Sequence, residues 1–454
     1  MDRLMRWHGY ILLILISLLF WACVEPFDAS PDLFSDSGIE GALVVEANLI
    51  DKVQLQVVLL SRIQKVERDS TVNVDEDRLF NTNTPVLIKN GLGPATESGA
   101  VVEIRDDNGQ VYPFQETDEG TYTSVSAFAA LPNSAYQLYV RTSDGKEYTS
   151  IEMTLPETSN IDRVYAERMT SESGADGVGI FVDASYPSNG SKRFRYTFEE
   201  TYKIVAPQWT PFEFEIIREE EIYFFDENGV VVDVLYPDVK LVPRAREEQV
   251  CYRTDSSIGE VLLNANTLNG TSAQRTLVRF IGADNPIISH RYSILVKQWG
   301  VSGEAFDFYE RLLAFSQSES LFSQVQPGSL EGNIAEVGGN APVIGFFDVS
   351  SEVSQRLFFN FEDFFPGEPL PPYFGGFDCG EDDYIAPLLG NPERDGPPAL
   401  GCPDPLIPMI KMGLVEFLDD HVPSECQGPY RVVLTICGDC NIVGSNVKPD
   451  FWTD

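Results

Sequence analysis

Residues 100–114 read Ala100-Val-Val-Glu-Ile104, Arg105, Asp106-Asp-Asn-Gly109, Gln110 and Val111-Tyr-Pro-Phe114. Two runs rich in β-branched and aromatic residues flank an Asn-Gly turn, which is the local signature of a β-hairpin. The pattern continues on both sides. Upstream lie Leu43–Ile50 and Val53–Leu60, the second alternating clearly between apolar and polar positions. Downstream lie Thr121-Tyr-Thr123 and Tyr136-Gln-Leu-Tyr-Val140, then an Asp144-Gly145 turn ahead of a strand from Tyr148 to Met153. Short strands with turns about every 8–12 residues predict an antiparallel, roughly immunoglobulin-like β-sandwich over residues 40–155. The polar stretch Lys65–Asn90 interrupts it as a long loop, and Pro156–Asn160 marks a boundary.

A larger β-rich domain is expected over 161–454. Gly179–Ala184, Phe194–Phe198, Phe212–Ile217 and Glu221–Phe225 alternate, and Asp226-Glu-Asn-Gly229 forms a further turn. That turn resembles a fragment of a calcium loop but lacks the later ligands. One α-helix stands out near 302–316. Ser302 can cap it, and Ala305, Phe308, Tyr309, Leu312, Leu313 and Phe315 fall on one broad face. Later strands are expected at Tyr292–Gln298, Val343–Phe347, Arg356–Phe361 and Tyr430–Ile436. The fold class is therefore mainly β, with one prominent helix.

Residues 361–405 break the pattern with ten prolines, many glycines and clustered aromatics. Long irregular segments in compact domains often carry function. Phe364, Phe365, Tyr373, Phe374 and Phe377 are thus candidates for a partner or ligand surface, the alternative being an ordered coil that covers a sheet edge.

The N-terminus reads as a lipoprotein signal peptide over 1–22. Arg3 and Arg6 precede an apolar run, Ile11–Phe20, then Trp21-Ala22 and Cys23. A small residue before a cysteine at the end of such a run makes Cys23 the lipidation site. Residues 23–39 form a tether. Export into an oxidising compartment favours disulfides among Cys251, Cys379, Cys402, Cys426, Cys437 and Cys440. Cys379 is expected to pair with Cys402 across the long loop, with two more bridges among the other four.

The chemistry inventory is thin. With 70 acidic and 32 basic side chains the formal charge is −38, which argues against nucleic acid as a partner. Three histidines leave little room for metal or triad chemistry. No nucleophile elbow, phosphate-binding loop or zinc motif is present. No catalytic residue, metal site or cofactor is therefore assigned. Carboxylate pairs such as Glu199/Glu200 and Asp382/Asp383 occur, as an acidic chain would give by chance.

An ordered series of short motifs carries a family resemblance. It includes Cys23-Val-Glu-Pro-Phe27, Leu43-Val-Val-Glu-Ala47, Gly99–Ile104, Gly120-Thr-Tyr122, Cys251-Tyr252, His290–Gln298, Ser302-Gly-Glu-Ala305, Pro342–Phe347, Cys437-Gly-Asp-Cys440 and Lys448–Trp452. The series resembles a Bacteroidetes lipoprotein family known as domain of unknown function 4249. The resemblance implies an outer-membrane, lipid-anchored protein, commonly encoded beside a TonB-dependent receptor, and supplies no catalytic residues. Glu25 and Asp28 resemble the acidic surface-export signal of such lipoproteins, so the cell surface is the expected location. The expected function is non-enzymatic. It is either binding of a small nutrient, glycan or peptide, or service as an accessory subunit of a TonB-dependent transporter. The alternatives are an extracellular hydrolase using a carboxylate pair and a structural or adhesive surface protein.

Overall fold

The computed structural model describes residues 41–66, 91–188, 191–317, 332–377, 379–380, 385–389, 406–422 and 427–454. The N-terminal strands are β1 (Leu43–Ile50), β2 (Val57–Val66), β3 (Gly91–Thr96), β4 (Val101–Asp106), β5 (Val111–Asp118), β6 (Thr121–Ser124), β7 (Ala135–Arg141), β8 (Glu147–Ser150) and β9 (Met153–Thr154). Next come β10 (Asn160–Thr170), β11 (Asp176–Ser185) and β12 (Arg193–Val205), then a ribbon of β13 (Phe212–Arg218), β14 (Ile222–Phe225), β15 (Val231–Leu235) and β16 (Asp238–Pro243). The rest are β17 (Val250–Ser256), β18 (Val261–Asn264), β19 (Ser272–Gly282), β20 (Arg291–Gly300), helix α1 (Gly303–Gln317), β21 (Ile334–Glu336), β22 (Val343–Asn360), a short helix α2 (Leu406–Lys411), β23 (Val415–Asp420) and β24 (Tyr430–Leu434). The chain is mainly β, as its alternation predicts, with one longer helix.

The opening hairpin forms as read. The Asp106 carboxylate accepts from the amides of Asn108 (3.0 Å) and Gln110 (2.8 Å), and β4 pairs antiparallel with β5. Alternation along β7 then buries Tyr136, Leu138 and Val140 on one face. β5 serves two neighbours, pairing with β4 through Val111–Pro113 and with β6 from Phe114 onward.

One strand organises the rest. β22 is 18 residues long. Its first half pairs parallel with β1, from Leu43 opposite Val343 to Ile50 opposite Ser350. Its second half pairs antiparallel with β20, from Gly300 opposite Ser351 to Arg291 opposite Asn360. The result is a 15-stranded sheet whose path runs β17-β12-β20-β22-β1-β2-β6-β5-β4-β7-β8-β21. Two strands from the second half of the chain, β21 at the sheet edge and β22 in its middle, therefore complete the first core. Gly345 permits the closest approach: its φ is +127°, and a Cβ there would meet the Val45 carbonyl oxygen at 1.9 Å.

Three cores follow. The first gathers β1, β2, β4, β6, β7 and β8 with Phe346, Phe347 and Val349 of β22. Helix α1 covers the other face of the β1–β22 pair, and Phe308 lies 5.3 Å from Phe346. The Ser302 hydroxyl caps it, accepting from the Ala305 amide at 3.0 Å. Its buried face is Ala305, Phe306 and Phe308, whereas Leu312, expected inside, is exposed. The second core lies between the sheet segment β12-β20-β22 and the three-stranded sheet β10-β11-β19. The third joins Phe214, Ile216, Val239 and Leu241 of the ribbon to α2, β23 and β24.

Candidate functional site

The start of β20 and the end of β22 lie level with residues 202–203 of β12. Their register sets Tyr202 opposite Tyr292 and Tyr292 opposite Phe359, all three buried in the second core. Side chains alternate along a strand, so the next residues, Lys203, Arg291 and Asn360, stand in a row on the outer face. With Ser289, His290, Phe361, Glu362, Leu370 and Asp454 they line a cavity of ≈ 420 Å³.

Arg291 is held in place. Its Nη1 donates to Asn360 Oδ1 (3.2 Å), its Nε donates to the Thr453 carbonyl, and its guanidinium lies 5.1 Å from the Phe358 ring centre. Lys203 makes no ion pair with any described residue. Burial, and then the charge of Lys203, push the His290 pKa below its ordinary value, which keeps the ring neutral at neutral pH. Asp454 already accepts from Lys448 Nζ (2.6 Å). Two cations and two carboxylates, Glu362 and Asp454, thus share the lining of the cavity with Phe361 and Leu370, and Asp454 lies near enough to Lys203 and Arg291 for both, after Lys448, to lower its pKa. Such a set can engage a small ligand that carries a carboxylate, an amine and an apolar group.

The C-terminal tail builds one wall. Trp452 packs against Tyr252 (5.0 Å between ring centres) and Phe358 (5.7 Å), while Arg356 sits 3.6 Å above the Phe451 ring. The Lys448–Trp452 aromatics dock on the outer face of the sheet, where Thr201 and Ser293 lie fully buried.

A second ionisable cluster lies at the far end of the same row on β12. Arg195 Nη1 donates to Glu260 Oε1 (2.6 Å), and its guanidinium lies 5.0 Å from Trp299 and 4.5 Å from Tyr309. Nearby, Asp348 is wholly buried beneath α1. Neither of its oxygens has a hydrogen bond of normal geometry, the Val349 amide lying only near enough to favour the charged form slightly. Burial pushes its pKa up to about 6 against the pull of Arg195. Of Arg195, Glu260 and Asp348, only Glu260 reaches solvent to any extent, and Asp348 is sealed beneath the helix.

The residues singled out from sequence fall differently. Of Phe364, Phe365, Tyr373, Phe374 and Phe377, Phe365 is buried and the other four are half-buried, packed against the second core or around Cys379 and Cys437. Phe365 is 1% exposed, stacks on Phe361 (4.8 Å) and lies beneath Arg168 (4.5 Å). Phe364 packs edge-on against Phe359 (5.2 Å), and Phe374 stacks on Tyr202 (5.8 Å). Phe377 and Tyr373 pack around Cys379 and Cys437. The segment plugs the open end of the second core because β22 delivers it there.

The expected Cys379–Cys402 pairing is corrected. Cys379 bonds to Cys437 and Cys251 to Cys440, with Cα separations of 5.6 Å in each case. A single helical turn at Thr435–Gly438, followed by a tighter turn at Cys440–Ile442, aims the two cysteines of the C-x-x-C at different elements. Cys23, Cys402, Cys426 and the pair Asp382/Asp383 lie outside the described residues. Glu199 and Glu200 are both engaged: Lys297 pairs with the first, and Arg279 (3.0 Å) and the Tyr292 hydroxyl (2.7 Å) bind the second.

A family model described as "Domain of unknown function (DUF4249)" matches residues 25–356. The chain belongs to this family. The match to DUF4249 ends inside β22, so the aromatic plug and the C-x-x-C lie beyond it. Lys203, His290 and Arg291 fall within the match, and Asn360, Leu370 and Asp454 outside it. No curated protein matches this DUF4249 chain. A solved structure named "Biofilm associated protein - B domain" aligns over 70% of this chain and 86% of its own at 10% identity, with a TM-score of 0.12, too low to inform the fold.

Lys203 had no signal in the sequence, and Arg291 stood inside the His290–Gln298 motif with nothing to mark it as a ligand contact. Only the register of three separate strands brings them to one cavity.

Proposed function

We propose that the protein works by binding, as a lipid-anchored accessory of an outer-membrane transporter of the TonB-dependent class. The observation that carries the binding part is the cavity at Lys203 and Arg291. In a chain of charge −38, two neighbouring cations beside an apolar wall and two carboxylates form a local exception. Their chemistry suits a short peptide or another small molecule with both a carboxylate and an amine. Surface lipoproteins capture such nutrients for a receptor to import, and lipidation of Cys23 would hold the cavity at the membrane.

Titration calorimetry with the dipeptide glycyl-phenylalanine tests the ligand part. Binding is expected, and it should weaken about tenfold with C-terminally amidated peptide or in Lys203→Ala, the cost of one charge-assisted contact. Equal affinity for both peptides, or none for either, would overturn it. Cys23→Ser tests the anchor: the variant should leave the membrane fraction, and unchanged attachment would sink that part. Co-purification with a transporter from native membranes tests the accessory role.

A further inference from the structure

The hairpin β14–β15 stands outside all three cores. Its strands pair with one another and with no other described strand, so both outer edges keep free backbone groups. The Asp226-Glu-Asn-Gly229 turn closes it, with the Asp226 carboxylate accepting from the amides of Asn228 (2.9 Å) and Val230 (2.8 Å). Solvent-facing ribbons normally alternate apolar and polar residues. This one is apolar on both faces: Tyr223, Phe224, Phe225, Val231, Val232 and Leu235 are all exposed, Phe225 by 60% and Val232 by 62%. Its root is fixed. Beyond the register shift at Ile216/Arg218 the ribbon continues as β13–β16, whose Phe214 and Val239 sit in the third core, and Lys411 pairs with Glu219 at the base (2.8 Å). The apolar arm is held out on a buried foundation.

We propose that this arm docks into another protein that offers an apolar cleft rimmed by lysine and arginine and an open strand edge. Charge selects this occupant. Residues 219–239 hold seven carboxylates and no Lys, Arg or His. A phosphate-bearing lipid surface would repel them, and burying them in lipid is costly. A second copy would bring seven more like charges to the same contact. A basic rim neutralises them while the cleft covers both faces, and backbone groups on either edge of the arm can extend the partner's sheet. The inference goes beyond the ligand reading and does not need it, since a chain whose cavity binds nothing would still dock.

The test places the photo-crosslinker p-benzoylphenylalanine at Phe225 or Val232 in the full chain, in the cells that make it, with exposed Ile258 as the control position. The expected result is one crosslinked product with a different protein, whose attached peptide is apolar and flanked by Lys or Arg. In isolated membranes its yield should fall several-fold when NaCl rises from low to molar concentration. With the crosslinker at Tyr223, Phe225→Ser combined with Val232→Ser should cut the yield about tenfold, as loss of interface anchors does. An unchanged melting temperature would show that the fold survives. Products with a second copy or with lipid, a partner peptide without basic flanks, or a yield no greater than at Ile258 would each overturn the proposal.

Discussion

Two aromatic segments of this chain have opposite fates. Residues 359–377 carry Phe359, Phe361, Phe364, Phe365, Tyr373, Phe374 and Phe377 among glycines and prolines, and they plug a core. Residues 222–235 carry Tyr223, Phe224 and Phe225 among valines and acids, and they stand in solvent. Composition marks both as apolar. What separates them is the route by which the backbone arrives. The plug follows directly from β22, whose far end is already inside the second core, so its rings meet Tyr202, Arg168 and Tyr292 at once. The hairpin lies past the last residue of β13 that the third core can reach. Proline and glycine mark a segment without regular structure, and they carry no information on whether it is covered.

The sharpest way to break this comparison is to cut one ring from each segment. Phe365→Ala should destabilise the protein by about 3–5 kcal/mol in urea melts, because it leaves a cavity in a closed core. An effect below about 1 kcal/mol would mean that the plug is loosely held. Next in size come the bridges that pin the plug. Cys437→Ser frees Cys379 and should cost on the order of 3–4 kcal/mol, given the sequence separation of 58 between the two cysteines. Non-reducing peptide mapping should recover Cys379 joined to Cys437 and Cys251 joined to Cys440, and a Cys379–Cys402 peptide would contradict the arrangement.

A smaller effect tests whether burial alone decides what the cores tolerate. Asp348 sits on β22 within the first core, with its pKa pushed up to about 6. A free carboxyl in the unfolded chain titrates near 4, so the folded state takes up the proton first. Stability from this group is full below about pH 4 and is lost as pH rises through about 6. Asp348→Asn should therefore stabilise the protein by about 2–3 kcal/mol at pH 8 and by little at pH 4, read from urea melts at the two values. A gain of equal size at both would exclude the titration. Least of all should be the hairpin: Phe225→Ser and Val232→Ser are each expected within about 0.5 kcal/mol of the parent, as exposed positions usually are. A loss of 2 kcal/mol there would place the arm against the body and end the comparison.

Local features of this fold were legible because they have local causes. The Asp106 and Asp226 turns, the Ser302 cap and the alternation of β7 each depend on residues within a few positions of one another. Illegible were the properties set by residues far apart in the chain. The parallel pairing of β1 with β22 joins positions 300 residues apart, as Leu43 opposite Val343 shows. The choice of Cys437 over Cys402 depends on where two turns aim their side chains. The cavity depends on the register that sets the start of β20 and the end of β22 beside Lys203 of β12, so Lys203 and Arg291 look like any other exposed charge until the register is known. His290 was visible as a residue, yet its neighbour Lys203 comes from a strand almost ninety positions earlier.

The parallel pairing has a mechanical consequence. In β1 and β22 the N-terminal ends lie side by side, so tension applied before Leu43 and after Asn360 pulls the two strands past each other lengthwise. Under that geometry the hydrogen bonds between them resist together, whereas a hairpin pulled open at its ends yields one rung at a time. A chain held near its N-terminus and tugged through its second half would thus meet its greatest resistance at this seam, and single-molecule pulling between those two points should give a higher rupture force than pulling across the ends of the hairpin β4–β5.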